Sequence, residues 1–516
     1  MKTAFSPRVM GVLLVSLGAW QMSMGIHASA QDIIGDMLLQ TVTTNVNGAG
    51  IRVAQPEADD PNTPPGTNTW EVNPAVVGQP TNLFTYIYFD SSGNYPNSLG
   101  FESHHAESVA DNFYGIPGGV ATNVAHVDNY EADYFWESVV DSRSPRNIND
   151  PVVNQSFTFG PLDASNQEMI DSAYDNYSAR YGTLFISAAN NAGNSTTVCA
   201  PGTSYNCVSV GAYTNFTNYS SIGPTVDNGR CKPDITAPWD ATSFSTPLVA
   251  GAAAVLMQAG LGGDGGADIR TVKALLLNGA IKPPDWTNDA PSPLDYRYGA
   301  GVLNVFNSYE QLTGGENDYI VANSVPTGSP HPPTGDTGTV GALSGWDFNT
   351  ISSSASGLST NDGVNHYYFN VTNGVNNAVF TATATLVWNR QQNQTNINNL
   401  DLFLYDTISS NLIAASTSLV DNVQHLWLPQ LPQGRYDLQV LKNAGNSVSA
   451  TESQSGTNTT LSWPIYPTGF ILESTTNLAS PIFWSTNNPA PVVTNNQNLV
   501  VLNATNGVQF FQLCRP

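Results

Sequence analysis

The chain has 516 residues, more than a single ordinary domain holds, so several domains are expected. Acidic residues outnumber basic ones 40 to 16, for a net charge of −24, which argues against a nucleic-acid partner and against an anionic membrane surface. Charged residues make up only 11% and apolar residues 41%, so a large core is surrounded by a surface built mostly from Asn, Ser, Thr and Gln.

The first thirty residues read as a signal peptide: Lys2 and Arg8 supply positive charge, Val9 to Trp20 is a short apolar run, and Ala28-Ser29-Ala30 is a small-residue cleavage site. The mature chain is then expected to begin near Gln31 and to be secreted, extracellular or periplasmic. No later run approaches the ~18 apolar residues of a membrane span, so no membrane insertion is expected. Between Gln31 and Gly48 there is no room for a long pro-segment. Export permits disulfides. Of Cys199, Cys207, Cys231 and Cys514, the first two flank Pro201-Gly202 in a turn-rich loop, where a local bridge is expected.

From residue 40 to about 312, strand-like and helix-like segments alternate. Gly50–Ala54, Val152–Phe157 and Thr183–Ala188 read as buried strands. Gln167–Tyr181 and Ile269–Asn278 have helical spacing, and a small-residue apolar helix is read from Pro247 to Gln258 with Pro opening it. Such alternation predicts a mainly parallel sheet covered by helices. A Pro/Gly/Ser/Thr-rich linker occupies 314–341. Beyond it the period falls to two, with His366–Val371, Phe380–Trp388, Leu400–Tyr405, His425–Leu428 and Arg435–Leu441 as short strands of an all-β sandwich over 342–450. A small β module follows at 451–516.

Serine catalysis needs a hydroxyl, a base to take its proton, an acid to orient the base, and donors for the developing oxyanion. The segment A-T-S-F-S-T-P-L-V-A-G, Ala241–Gly251, places Ser243 at the mouth of a helix, where backbone N–H groups are free and the helix dipole favours negative charge. On these grounds alone an N-capping serine on a buried helix fits equally well. The segment also resembles the nucleophile motif of the subtilase family, G-T-S-x-[AS]-T-P-x-V-A-G, and Lys232–Pro238, K-P-D-I-T-A-P, resembles the stretch that precedes it there.

The resemblance, which runs over about residues 40–312, implies further sites. H-A-E-S-V-A at His105–Ala110 resembles the family's base motif and points to His105 rather than to the adjacent His104, whose register lacks Val-Ala. Leu184–Asn194 resembles the strand and turn that carry the oxyanion asparagine. It puts the donor on Asn191 and places Asn190 where the family has Gly, with a left-handed backbone expected. Val152–Gly160 resembles the strand whose edge binds substrate, implying contacts from Ser156, Phe157, Thr158 and Gly160. Val208–Ala212 and Tyr298–Asn304 resemble two further family segments.

The acid site departs from the family: Gly48–Glu57 keeps the first core strand but ends on Glu57 instead of Asp, with Asp59, Asp60 and Glu107 nearby as alternatives. Glutamate can orient an imidazole, at the cost of one more methylene of reach. Ala106, Trp239 and Ala241 stand where the family has Gly, and only four residues separate Pro238 from Ser243, which leaves the leaving-group side of the cleft open to question. The acid–base–nucleophile order 57, 105, 243 is that of subtilisins.

The 342–450 sandwich resembles bacterial pre-peptidase C-terminal domains, through Tyr367–Val371, Asn399–Asp406 and Leu431–Asp437. Asp401 and Asp406 are candidate calcium ligands, with turn and edge-strand roles as the alternative. The expectation is an α/β, subtilisin-like three-layer fold with a central mainly parallel sheet, an all-β sandwich, and a small terminal β module. Its function is expected to be that of a serine endopeptidase acting on protein or peptide substrates, with no cofactor needed for the chemistry. The alternatives are a catalytically impaired pseudo-peptidase, or a surface- or glycan-binding protein in which the β modules matter most.

Overall fold

The computed structural model describes residues 2–8, 29–59, 68–89, 91–193, 195–213, 220–318, 340–351, 364–372, 379–442, 451–455, 458–464, 471–477, 483–486, 489–494, 497–503 and 509–514. Most of the leader (9–28), most of the linker (319–339) and Asp60 lie outside them. Among the described residues no helix is long and apolar enough to cross a membrane.

The centre of the molecule is an eight-stranded sheet built from β1 (Arg52–Glu57), β2 (Phe84–Tyr88), β3 (Ser91–Gly93), β4 (His126–Glu131), β5 (Val152–Gln155), β6 (Leu184–Ala188), β7 (Val208–Ala212) and β8 (Ile235–Ala237). The order is β8-β7-β6-β5-β1-β4-β2-β3, and every neighbouring pair is parallel except the β2–β3 hairpin. Successive side chains of a strand point to opposite faces, and here both faces are buried. Val53, Val127, Val152 and Ile186 share one core with α1 (His104–Phe113), α3 (Thr242–Gly260), α4 (Ile269–Gly279) and α5 (Val305–Thr313). Ala54, Tyr130, Val153 and Phe185 pack on the other side against Tyr174 and Tyr177 of α2 (Ala164–Tyr181). This is the expected three-layer α/β arrangement.

Two details follow from proline. Pro56 lies inside a central strand, but β1 pairs with β5 only at Val53 and Ala54, so the missing N–H falls where that partner has already diverged. Pro247 does not open α3 as expected; the helix begins five residues earlier, at Thr242. Proline has no N–H to offer the carbonyl of Ser243, four residues back. The Ser156 hydroxyl donates to that carbonyl instead, at 2.8 Å, and the helix continues through the proline.

Antiparallel sheets follow the α/β body. β10 (Val364–Val371), β15 (Gly434–Lys442), β12 (Leu400–Asp406) and β13 (Leu412–Ser416) form one, in that order. The other contains β9 (Gly345–Phe348), β11 (Val379–Val387) and β14 (Val423–Pro432), with Lys2–Arg8 paired between β9 and β11. Phe369, Val371, Phe380, Leu386, Leu402 and Leu438 fill the space between the two sheets. Shorter ladders pair Asn458–Pro464 with Gln497–Asn503 and Ile471–Thr475 with Phe510–Cys514.

The sandwich is not tethered loosely. Trp346, Val387 and Val423 belong to the same core as the α/β helices. Thr383 and Thr385 donate their hydroxyls to Asn278 Oδ1 of α4 at 2.8 and 2.9 Å. Arg390, buried, reaches Asp175 at 2.8 Å and Glu168 at 2.6 Å, both on α2.

Candidate active site

The carboxyl ends of β1, β5 and β6 and the first turns of α1 and α3 converge on one surface, as ligand-binding groups do in open α/β sheets. β1 delivers Glu57, which is 1% exposed, to its end. Ser103 caps α1 and accepts from Ala106 N, so His105 lies in the helix's first turn. His105 Nδ1 stands 2.9 Å from Glu57 Oε2, and the His105 side chain is 31% exposed. Glu57 is therefore the carboxylate against His105. Asp59 is exposed, and Glu107 lies 3.0 Å from Nδ1 of His104, whose side chain faces solvent.

Two residues that sequence reasoning missed hold this pair. Gln55 Nε2 donates to the other oxygen of Glu57 at 2.9 Å and to the carbonyl of Ala106 at 3.0 Å, tying β1 to α1. Tyr114 OH donates to Gln55 Oε1 at 2.5 Å. Burial pushes the Tyr114 phenol well above its ordinary pKa, so it stays a donor and fixes which way the Gln55 amide faces. The available signal was the spacing: Gln55 is two residues before Glu57 and so shares its strand face.

Ser243 lies in the first turn of α3, where N–H groups have no acceptor within the helix. Its hydroxyl donates to the Ser156 carbonyl at 3.4 Å. Asn191, exposed just beyond β6, accepts at Oδ1 from both the N–H and the hydroxyl of Thr242, each at 2.9 Å. With the oxygen so occupied, the amide Nδ2 is the end left for a ligand. Asn190 has φ +96°, the positive value expected where the family has Gly. Its amide donates to Thr197 O at 3.1 Å, and its carbonyl accepts from Ser221 N at 2.8 Å.

Ser156–Gly160 run on past the paired part of β5 along the cleft. Ser156 is buried, with its side chain committed to the carbonyl of Ser243 in α3, while Phe157, Thr158 and Gly160 are half-buried. Gly160, at φ +71°, turns the segment away. On the opposite flank, the rings of His105 and Phe244 lie 5.8 Å apart, and Phe244 meets Trp239 edge-on at 5.8 Å.

The Lys232–Pro238 segment acts through structure. Asp234 accepts from Ser209 N at 2.7 Å and pairs with Lys232 at 2.7 Å and Lys273 at 3.4 Å, all buried, which locks the ends of β7 and β8. Burial lowers the Lys273 pKa to about 8.

The expected Cys199–Cys207 bridge does not form. Both cysteines are buried free thiols, with Cys199 Sγ donating to Thr197 O and Cys207 packed in the core beneath α2. Burial pushes the thiols up to about 11 and about 12. The loop between them is held by charge instead. Asp171 accepts from the hydroxyls of Thr203 (2.7 Å) and Ser204 (3.1 Å), and Asp175 accepts from Asn206 N (2.7 Å). Glu168, Asp171 and Asp227 approach closely enough to hold a cation. Arg230 already pairs with Asp171 and Asp227, and Arg390 with Glu168, so guanidinium groups neutralise the set. The candidate calcium ligands Asp401 and Asp406 stand five residues apart on β12, about 16 Å by strand rise, too far to share one ion. Asp406 accepts instead from Ile408 N and Ser409 N in a tight turn.

Residues 135–301 match the Subtilase family; the matched stretch contains Ser156, Asn191 and Ser243 and stops short of Glu57 and His105. Among solved structures, the chain resembles the prenylagaramide maturation protease PagA, at 20% identity and TM-score 0.37, over 54% of this chain and 98% of that one. It also resembles MycP1 from Mycobacterium smegmatis, at 16% identity and TM-score 0.36, over 59% of this chain and 88% of that one. A cold adapted subtilisin-like serine proteinase aligns at 19% identity and TM-score 0.33, over 51% of this chain and 90% of that one.

The oxyanion position is open to a direct test. Asn191→Ala is expected to lower kcat on a peptide substrate about 10²–10³-fold with little change in KM, because the hydrogen bond strengthens only as negative charge develops. Asn190→Ala puts a Cβ on a positive-φ backbone and removes the bond to Thr197, so its effect should appear as a lowered Tm. Exchanged behaviour of the two variants would assign the donor to Asn190.

Proposed function

We propose that the chain is a secreted serine endopeptidase in which Ser243 attacks the peptide carbonyl, His105 carries the proton, Glu57 orients His105, and Asn191 together with the Ser243 N–H stabilises the oxyanion. The observation that carries this reading is the 2.9 Å contact between Glu57 Oε2 and His105 Nδ1, assembled beside a serine at the mouth of a helix. With Nδ1–H donated to Glu57, the imidazole presents Nε2 as the basic nitrogen. The Ser243 hydroxyl donates to Ser156 O at 3.4 Å, and the attack requires it to give up that bond for one to the His105 imidazole.

A substrate strand lies along Ser156–Gly160, with contacts from Ser156 (backbone), Phe157, Thr158 and Gly160. As Oγ attacks, its proton passes to His105. The tetrahedral oxygen is held by Asn191 Nδ2 and the Ser243 N–H. His105 then gives its proton to the departing amine, and water, activated by the same imidazole, releases the acyl group. Export rests on the leader read from Lys2 to Ala30, and its removal would take Lys2–Arg8 out of its place between β9 and β11.

The experiment is labelling of the full chain with a fluorophosphonate, which reacts with serines activated by a base. The label is expected on the single tryptic peptide containing Ser243, and its attachment should block peptide hydrolysis. Label that stays on buffer-exposed serines generally, or hydrolysis that survives complete labelling of Ser243, would refute the reading.

A further inference from the structure

We infer that Trp239 and Phe244 form an aromatic wall that selects the residue following the scissile bond, favouring aromatic and large apolar side chains there. The inference rests on the peptidase reading above and adds the substrate's leaving-group side to it.

The two flanks of Ser243 are chemically distinct. On one side Ser156 is bonded to Ser243 through both its carbonyl and its hydroxyl, and Asn191 is aimed by Thr242. That side takes the acyl half of the substrate. On the other side stands His105. The leaving nitrogen must come within hydrogen-bond distance of the imidazole that protonates it, so the chain beyond the scissile bond passes over His105 and meets what lies next to it. Phe244 and then Trp239 lie there, in an unbroken row of rings: His105 to Phe244 at 5.8 Å, Phe244 to Trp239 at 5.8 Å and 63°.

Both aromatic residues present surface to the cleft. Phe244 is half-buried and Trp239 is 38% exposed, whereas of the other tryptophans of the α/β body Trp70 and Trp286 are buried and Trp136 is half-buried. The Trp239 ring is also fixed in place: its indole N–H donates to Asn112 Oδ1 of α1 at 2.9 Å, and Asn112 is itself buried. With only Trp239, Asp240, Ala241 and Thr242 between Pro238 and Ser243, that segment is too short to fold over this wall. A rigid, partly exposed indole beside the point of bond cleavage offers an incoming side chain stacking contact without the entropy loss of ordering the wall.

The test uses acyl transfer, which reads this flank alone. The full chain is supplied with the ethyl ester of an N-blocked amino acid, so that Ser243 Oγ displaces ethanol and the acyl-enzyme carries nothing on the leaving-group side. Phenylalanine amide or glycine amide is then added. The amine nitrogen attacks the ester carbon, a C–N bond forms, the C–Oγ bond breaks, and the amine's proton passes through His105 to Ser243 Oγ. Water competes for the same acyl-enzyme, so each ratio of aminolysis to hydrolysis is normalised within one sample. Loss of folded enzyme, or a displaced His105, alters both products together.

The parent chain is expected to prefer phenylalanine amide over glycine amide by about tenfold. Trp239→Ala should bring the preference to within about twofold of unity, and Trp239→Phe, which keeps a ring without the indole N–H, should retain most of it. An equal ratio in the parent, or an undiminished ratio in Trp239→Ala, would overturn the wall while leaving the peptidase reading intact. Failure to form any acyl-enzyme would overturn the peptidase reading and the wall with it.

Discussion

Ser243→Ala is expected to lower turnover of a peptide substrate by about 10⁶-fold, with KM nearly unchanged. The substitution removes the hydroxyl proposed to attack the substrate and little else. Alanine suits a helix's first turn, and the bond from the Ser156 hydroxyl goes to the backbone carbonyl of residue 243, so α3 keeps that support. Asn191 and the backbone N–H at position 243 remain, and with bound substrate they should sustain a residual rate about 10³–10⁴-fold above water. The measurement is single-turnover hydrolysis of a fluorogenic peptide by purified variant, with Tm recorded in parallel. A rate within tenfold of the parent, in a variant of unaltered Tm, would remove Ser243 from the chemistry.

The second large effect is expected at the unusual acid. Glu57→Gln should keep the fold and lose about 10⁴-fold in kcat. The reason lies in the two donors that face this side chain, Gln55 Nε2 on one oxygen and His105 Nδ1 on the other. An amide has one oxygen to offer. Tyr114 holds the Gln55 amide so that its nitrogen faces position 57, so the oxygen of the new amide turns to Gln55 and its NH2 turns to His105. Nδ1 must then accept a hydrogen bond, the proton moves to Nε2, and the nitrogen that should take the Ser243 proton is already protonated. Relief of this conflict gives the check: Gln55→Glu in the Glu57→Gln background, with a carboxylate in place of the Gln55 donor, should recover part of the lost rate if tautomer choice is the cause. Glu57→Asp keeps the charge with a shorter reach and should fall between the parent and the Gln variant. Equal rates for parent and Glu57→Gln would place the acid elsewhere.

The parts of the fold that were legible in the sequence are those whose burial is apolar. Val152–Gln155, Leu184–Ala188 and the Leu400–Asp406 strand announce themselves by Val, Ile, Leu and Phe. The strand His126–Glu131, central to the sheet, does not, because beside the core residues Val127 and Tyr130 its other four residues are polar, and Asp128, Asn129 and Glu131 are satisfied by specific partners. Asp128 pairs with Arg52 at 2.7 Å, Asn129 accepts from Val72 N and donates to Gln55 O, and Glu131 caps the turn that follows through Asp133 N and Tyr134 N. Hydrophobic periodicity cannot register a strand stabilised this way. The start of α3 was misplaced for a related reason: proline is read as a helix opener, and the hydroxyl that substitutes for its missing N–H comes from Ser156, 87 residues away in sequence. At the site, side chains named by motif were legible, and those that act by orienting them, Gln55, Tyr114 and Thr242, were not, since their roles exist only once β1, α1 and the Asn191 turn are brought together.

One further consequence concerns the loop between Ala200 and Cys207. It carries Pro201-Gly202 and would ordinarily be a surface turn, the kind of segment a protease nicks first. Here every residue of it is buried. The sandwich supplies much of the cover: Arg390 lies over the Tyr205 ring at 4.9 Å and pairs with Asp175, and Asn422 donates to Tyr205 O at 2.8 Å. On the peptidase reading proposed above, each copy would be a potential substrate of its neighbours. By clamping this loop the sandwich raises the free energy of the local opening that cleavage requires. On that reading its presence would lengthen the survival of the chain among its own copies.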